Sequence, residues 1–213
     1  MSIQHYVLPD PGEGLTEAEI VAWKVKVGDE VTWYLTNIDK VEDLLEYTPG
    51  IVTDYYGTDD RNDYYLVRGF QASTYRDGLT LGTMRGVREE PYAFERVEVM
   101  KGGNSTLFGT SDPGGTLNFV TKTPKFERFG EVYGSYGTNN HTELGFDFGD
   151  VLNEDRTLAY RFVGKVQDSE LDYDFSRDDE TFLLGSFAWS PSEDTKLTFT
   201  LDYLDRDSTP NSG

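Results

Sequence analysis

Cysteine is absent from the 213 residues, and histidine occurs only as His5 and His141. The first absence excludes disulfides, thiolate nucleophiles, iron–sulfur clusters and cysteine zinc sites, and the second excludes a His-rich metal centre. Basic residues are scarce: 19 Lys and Arg stand against 39 Asp and Glu, a formal charge of −20. A chain so poor in cations cannot neutralise phosphates along a nucleic acid, so no nucleic-acid partner is expected. The same charge argues against docking on an anionic lipid surface. No apolar run approaches the roughly 20 residues of a membrane-spanning helix, which leaves short alternating strands as a route through a bilayer. Residues 1–14 carry Asp10 and Glu13 and lack an apolar core, so they are not expected to act as a signal peptide or to direct export. Phosphate-loop chemistry is not expected, because no Gly-Lys-Ser/Thr follows the Gly-rich turns; nor is a nucleophile elbow, because Ser111 precedes Asp112-Pro113.

Aromatic residues, by contrast, are plentiful at 14%, with 14 Tyr and 13 Phe. A disordered acidic tail would hold few of them, so the acidity belongs to a folded chain. The chain changes character near residue 32. Before it, Pro9-Asp10-Pro11-Gly12 and Gly28-Asp29 read as turns, and Ala18–Val25 alternates as a strand. Over 37–47 the period changes: Ile38, Val41 and Leu45 share a helical face, Thr36 or Asn37 can cap it, and Pro49-Gly50 stops it. Strand-like pieces follow at Ile51–Tyr55, Tyr64–Arg68, Arg96–Met100 and Thr116–Thr121, separated by Gly-rich turns, which makes this a mixed α/β region.

From residue 129 the pattern is of period two. Leu144, Phe146 and Phe148 alternate with Glu143, Gly145, Asp147 and Gly149. Leu158, Tyr160, Phe162 and Val166 alternate with Ala159, Arg161, Lys165 and Gln167; Leu197, Phe199, Leu201 and Tyr203 do so with Lys196, Thr198, Thr200 and Asp202. Short turns at 153–155 and 190–194 alternate with longer polar connections, notably 168–180. That rhythm fits the first strands of a membrane β-barrel, and a β-sandwich or meander with one wet face alternates in the same way. The acids Asp168, Glu170, Asp172, Asp174, Asp178, Asp179 and Glu180 are expected to form a solvated loop surface, since the tight-turn glycine of a calcium loop is missing.

Residues 37–213 resemble a TonB-dependent outer-membrane receptor of the ferric-siderophore type. The resemblance rests on Asp43-Leu44-Leu45-Glu46-Tyr47-Thr48-Pro49-Gly50-Ile51, Val67-Arg68-Gly69-Phe70, Tyr75-Arg76-Asp77-Gly78-Leu79 and Pro91–Gly102. Ser105-Thr106-Leu107-Phe108-Gly109, Asp112–Asn118 and Val120-Thr121-Lys122-Thr123-Pro124 continue it in order. It implies an α+β plug domain over 37–125, then about five antiparallel strands of an incomplete transmembrane barrel over 126–213. It also implies a receptor and not an enzyme, with a ferric siderophore as transported ligand, no required cofactor or metal centre, the TonB energy-transducing complex and outer-membrane lipid as partners, and residence in the outer membrane. Large plugged barrels close with about 22 strands, so the chain reads as truncated. Tyr75, Arg76, Arg85, Arg88 and Tyr92 are the candidate ligand contacts, being flat aromatic and cationic groups suited to an anionic or oxygen-rich chelate. The resemblance further implies that Arg68 and Arg96 lock the plug to barrel glutamates, which would lie beyond residue 213.

A second resemblance covers the front. Leu8–Val21 and Val27–Val31 look like the start of a lipoyl domain of 2-oxo-acid dehydrogenase acyltransferases. Asp39-Lys40 mimics that family's lipoyl-bearing pair, so the alternative function is an acyl carrier with lipoate on Lys40. Together the two resemblances imply a chimera, with residues 1–31 lipoyl-like and 32–36 as the junction, and a non-functional fusion product is a further alternative.

Overall fold

The computed structural model describes residues 5–6, 20–21, 30–34, 45–46, 48–53, 64–81, 89–102, 113–171 and 173–209. Almost all of them are strand or turn. The short pair β1 (His5–Tyr6) and β2 (Ile20–Val21) is antiparallel. It takes its second strand from the alternating run at 18–25. Of the helix expected over 37–47, Leu45 and Glu46 are helical and the remainder lies outside the described residues, as do Lys40 and most of the lipoyl-like segment.

A mixed sheet organises residues 30–121. Its strands are β3 (Glu30–Tyr34), β7 (Ser73–Arg76), β8 (Leu79–Thr80), β9 (Phe94–Lys101) and β10 (Gly115–Thr121), in the order β3-β9-β10-β7-β8. Strand β10 runs antiparallel to β9 and parallel to β7. Strand β3 pairs with β9, Val31 opposite Val99, so it crosses the boundary expected between residues 31 and 32. A small sheet of β4 (Ile51–Val52), β5 (Leu66–Val67) and β6 (Phe70–Gln71) lies beside it. The described part of this region is therefore mainly β-structure, with helical Leu45 and Glu46 and one 3-10 turn at Pro91–Ala93, where a mixed α/β unit was expected.

The reason for the strand layout is visible in β9 and β10. Phe94, Val97, Val99, Leu117 and Phe119 are wholly or almost wholly buried and form one core with Leu45, Ile51, Tyr65 and Val67. Asn118 is also buried, and its amide is matched on both sides. Its Nδ2 donates to Glu98 Oε2 at 2.9 Å, and its Oδ1 accepts from the Gly78 N–H at 3.0 Å. Entry into β10 needs glycine, because a Cβ on Gly114 would stand 2.3 Å from the Val67 carbonyl oxygen.

The second half is an antiparallel meander in sequence order. It comprises β11 (Phe129–Tyr136), β12 (Thr142–Val151), β13 (Leu158–Asp168), β14 (Asp178–Ser192) and β15 (Thr195–Ser208). Its strands match the alternating runs, and the connection at 193–194 is the tightest and that at 169–177 the longest. What alternation left open was which face turns inward. On β12, Glu143, Gly145, Asp147 and Gly149 are buried, while Leu144 and Phe148 are exposed. On β13, Arg161 and Lys165 are buried, while Phe162 and Val166 are exposed. The polar face thus packs on the mixed sheet, and the apolar face points away from protein.

Candidate functional site

The seam between the mixed-sheet unit and the meander holds the densest chemistry among the described residues. Part of it is apolar: Val163, Phe182 and Leu184 point inward from β13 and β14 and join the core of Phe94 and Leu117. Glycines let aromatic rings lie flat against the strands. A Cβ on Gly145 would meet the Tyr133 ring at 2.1 Å, and one on Gly149 the Phe129 ring at 2.7 Å. The rest of the seam is ionic, in three places.

The first ionic group centres on Arg161. Its guanidinium grips Asp147 on the adjacent strand through two bonds, Nε to Oδ1 at 2.8 Å and Nη2 to Oδ2 at 2.7 Å. Its Nη1 crosses the seam to Glu95 Oε2 at 2.7 Å and to the Thr123 carbonyl at 3.0 Å. A planar fork held on both edges fixes relative position in a way a lysine could not. Lys122 adds a contact of 3.0 Å to Asp147 and sits 3.7 Å above the Tyr92 ring. Burial draws the Lys122 ammonium below the usual lysine range, with Asp147 pulling the other way. Burial opposes ionisation of Glu95, but the hydrogen bond and charge of Arg161, aided by Lys125, hold it below the usual carboxylate range.

The second group centres on Lys165, whose side chain is 3% exposed. Its Nζ lies 3.0 Å from Glu90 Oε1, 3.1 Å from Glu180 Oε1 and 3.7 Å from Glu143 Oε2. Arg206 on β15 pairs closely with Glu180 and approaches Glu90 Oε2 at 3.6 Å. Glu90 also accepts from the Tyr92 N–H at 2.9 Å, which caps the 3-10 turn. Burial first, then a hydrogen bond with Glu180, pushes the Glu90 carboxyl up to about 8, against the pull of Lys165. The third contact is Arg76, between Glu89 at 3.4 Å and Asp202 of β15 at 3.1 Å.

These positions differ from those expected. Arg85 and Arg88 lie outside the described residues. Tyr75 is 4% exposed and packs inside the mixed-sheet unit, so its ring is not a surface contact in this arrangement. Arg76 spans the seam, and Tyr92 is half-buried against Tyr133, with ring centroids 5.2 Å apart. Burial, then the charges of Asp147 and Glu131, pushes the Tyr92 hydroxyl up. Arg68 is exposed in a left-handed turn at φ 54. Arg96 pairs with Glu98 of its own strand at 2.7 Å. Glu180, expected on a solvated loop, is turned inward and buried. Sequence reading did not single out Glu90, Glu95, Lys122, Arg161, Lys165 or Arg206 as seam residues. The available signal was charge on inward strand positions: Arg161 and Lys165 share one face of β13, and Glu143 and Asp147 share that face on β12.

A family model described as TonB-dependent Receptor Plug Domain matches residues 35–116. The ferrichrome outer membrane transporter/phage receptor of Escherichia coli (strain K12) is 34% identical over 81% of this chain and 24% of its own length. The ferrioxamine receptor of Yersinia enterocolitica is 34% identical over 76% of this chain and 24% of its own. Among solved structures, the pyoverdine outer membrane receptor FpvA from Pseudomonas aeruginosa PAO1 bound to pyoverdine superposes with a TM-score of 0.75 at 27% identity. That match covers 86% of this chain and 28% of the receptor. The chain thus spans about a quarter of the length of the curated relatives it matches. These comparisons lend no support to the lipoyl-carrier alternative.

Proposed function

We propose, from the fact that the chain belongs to the TonB-dependent receptors, that it is the plug and the first wall strands of an outer-membrane importer of ferric siderophores. The observation that carries this reading is the inversion of the meander. Its charged face is buried on the plug, and Leu144, Phe148, Phe162, Phe187, Phe199 and Leu201 form its exposed face. Exposed apolar strands over a polar interior suit lipid outside and a plugged lumen inside. The reaction is binding and gating, with no bond made or broken.

A bulky, scarce chelate needs a wide barrel, and a wide barrel needs a plug that both touches the ligand and moves. The mixed-sheet unit is that plug. Residues 82–88 join Leu81 of its sheet to Glu89 and Glu90 at the seam. Arg85 and Arg88 in that segment are the cationic ligand contacts of this proposal. Arg76 and Tyr92 hold the plug against the wall, and Tyr75 packs its interior. Arg68, exposed, serves as a lock to acidic residues of the barrel wall, and Arg96 does so by exchanging its Glu98 partner. Energy for displacing the plug comes through the TonB complex.

The test is titration calorimetry of the chain in lipid bilayers with ferrichrome, ferrioxamine B and pyoverdine, each loaded with iron and iron-free. Saturable binding of one ferric form, weakened at least about tenfold in the Arg85→Ala, Arg88→Ala double variant, is expected, equivalent to roughly 1.4 kcal/mol. Flat titrations with all three would remove siderophore binding by this chain.

A further inference from the structure

Glu90 stands in an unusual electrostatic position. It leaves the plug beside Tyr92 and enters a pocket of charge supplied by every strand of the wall. Tyr133 faces it from β11, Glu143 from β12, Lys165 from β13, Glu180 from β14 and Arg206 from β15. Its own chain contributes the Tyr92 N–H. Three carboxylates, Glu90, Glu143 and Glu180, therefore share two cations, Lys165 and Arg206. The side chains of Glu90, Lys165, Glu143 and Glu180 are each 4% exposed or less. Water cannot dilute the excess negative charge at that depth.

The oxygens agree with the charge count. Glu90 Oε1 is matched by Lys165 Nζ at 3.0 Å and the Tyr92 N–H at 2.9 Å. Glu90 Oε2 is buried without a hydrogen-bond donor, since Arg206 Nη2 stands off at 3.6 Å. The Glu90 and Glu180 carboxyls crowd one ammonium, with Lys165 Nζ 3.0 Å from Glu90 Oε1 and 3.1 Å from Glu180 Oε1. Glu143 Oε2 and Glu180 Oε1 also lack a hydrogen-bond partner but face Lys165, so one proton on Glu90 meets both the charge count and its unmatched Oε2.

We propose that Glu90 is a proton-operated latch: it docks the plug to the wall as the neutral acid, and its ionisation loosens that seam. The proposal stands on the geometry of the cluster and not on the identity of the transported ligand. The sign follows from proton linkage. Burial pushes the docked carboxyl up to about 8 from its ordinary 4.5, so the docked state holds the extra proton between those values. Docking weakens as pH rises through that window. Above it both states are ionised, and below it both are protonated, so no further change arises from Glu90.

Infrared difference spectroscopy on the full chain in lipid bilayers reads the proton directly. A protonated-carboxyl carbonyl band at neutral pH, lost with a midpoint near about 8, is expected for the native chain. Glu90→Gln mimics the neutral acid and is expected to lack the band at neutral pH. Hydrogen exchange at the Tyr92, Ala93 and Lys122 amides is expected to speed up, beyond the intrinsic pH effect, as the native chain ionises, and to stay protected in Glu90→Gln. Glu143→Gln leaves two carboxylates to two cations and is expected to move the midpoint of the band to lower pH. A native chain with no protonated-carboxyl band at neutral pH overturns the latch. So does a neutral-pH band that survives in Glu90→Gln, or a midpoint that rises in Glu143→Gln.

Discussion

The plug and the wall obey opposite burial rules within one chain. In the plug, Phe94 is fully buried and the exposed positions are turns and edges. In the wall, Phe199 is 66% exposed while Lys165 and Arg161 are buried. The plug places apolar side chains inside by the ordinary hydrophobic effect, whereas the wall turns them outward, as the proposed lipid surroundings would require. The wall's inner face is then free to carry ions, and those ions meet counter-charges on the plug. What separates the two regions is the surroundings each is built for, since both are twisted β-sheet with alternating side chains.

Substitutions can break this contrast, and their expected effects fall in order. Lys165→Ala strands Glu90, Glu143 and Glu180 without their common cation. Removing one partner of a buried ion group costs about 3–5 kcal/mol, so denaturant unfolding in bilayers should shift by that amount. Leu201→Arg places a charge on the outward face and should cost about 2–4 kcal/mol when the strand is in lipid, with little change where lipid is absent. Gly145→Ala drives a methyl into the Tyr133 ring, with an expected loss of roughly 1–3 kcal/mol and a change in Tyr133 near-ultraviolet dichroism. Arg177→Ala removes a pair to Asp207 at 3.2 Å whose side chains are 66% and 72% exposed. Its effect should stay within about 0.5 kcal/mol and vanish at high salt. A large loss in Arg177→Ala with none in Lys165→Ala would reverse the contrast drawn here.

The wall was legible in the sequence because alternation is a local property. The runs around Phe146, Phe162 and Phe199 announced their strands, and the turns at 153–155 and 190–194 announced their ends. The choice of inward face was not local. It is decided by a plug strand placing Glu95 beside Arg161, 66 positions along the chain. No short-range period encodes such a pair. Arg76 teaches the same point: its cationic group suggested a ligand contact, and the fold instead brings Asp202 to it across 126 positions. Glu180 was read with its acidic neighbours as a wet loop. It belongs to β14, where the strand's alternation turns it inward beside Lys165. Tyr75 was read as a ligand contact, yet it is 4% exposed and pairs in register with the buried Asn118.

The central claim is that the wall's apolar face meets lipid. Trp189, 50% exposed on the outward face of β14, reports on it directly. With Trp23 and Trp33 replaced by Phe, the remaining tryptophan in bilayers containing brominated acyl chains should be strongly quenched and shielded from aqueous iodide. Quenching by iodide with none by the brominated lipid would place that face in water and contradict the account.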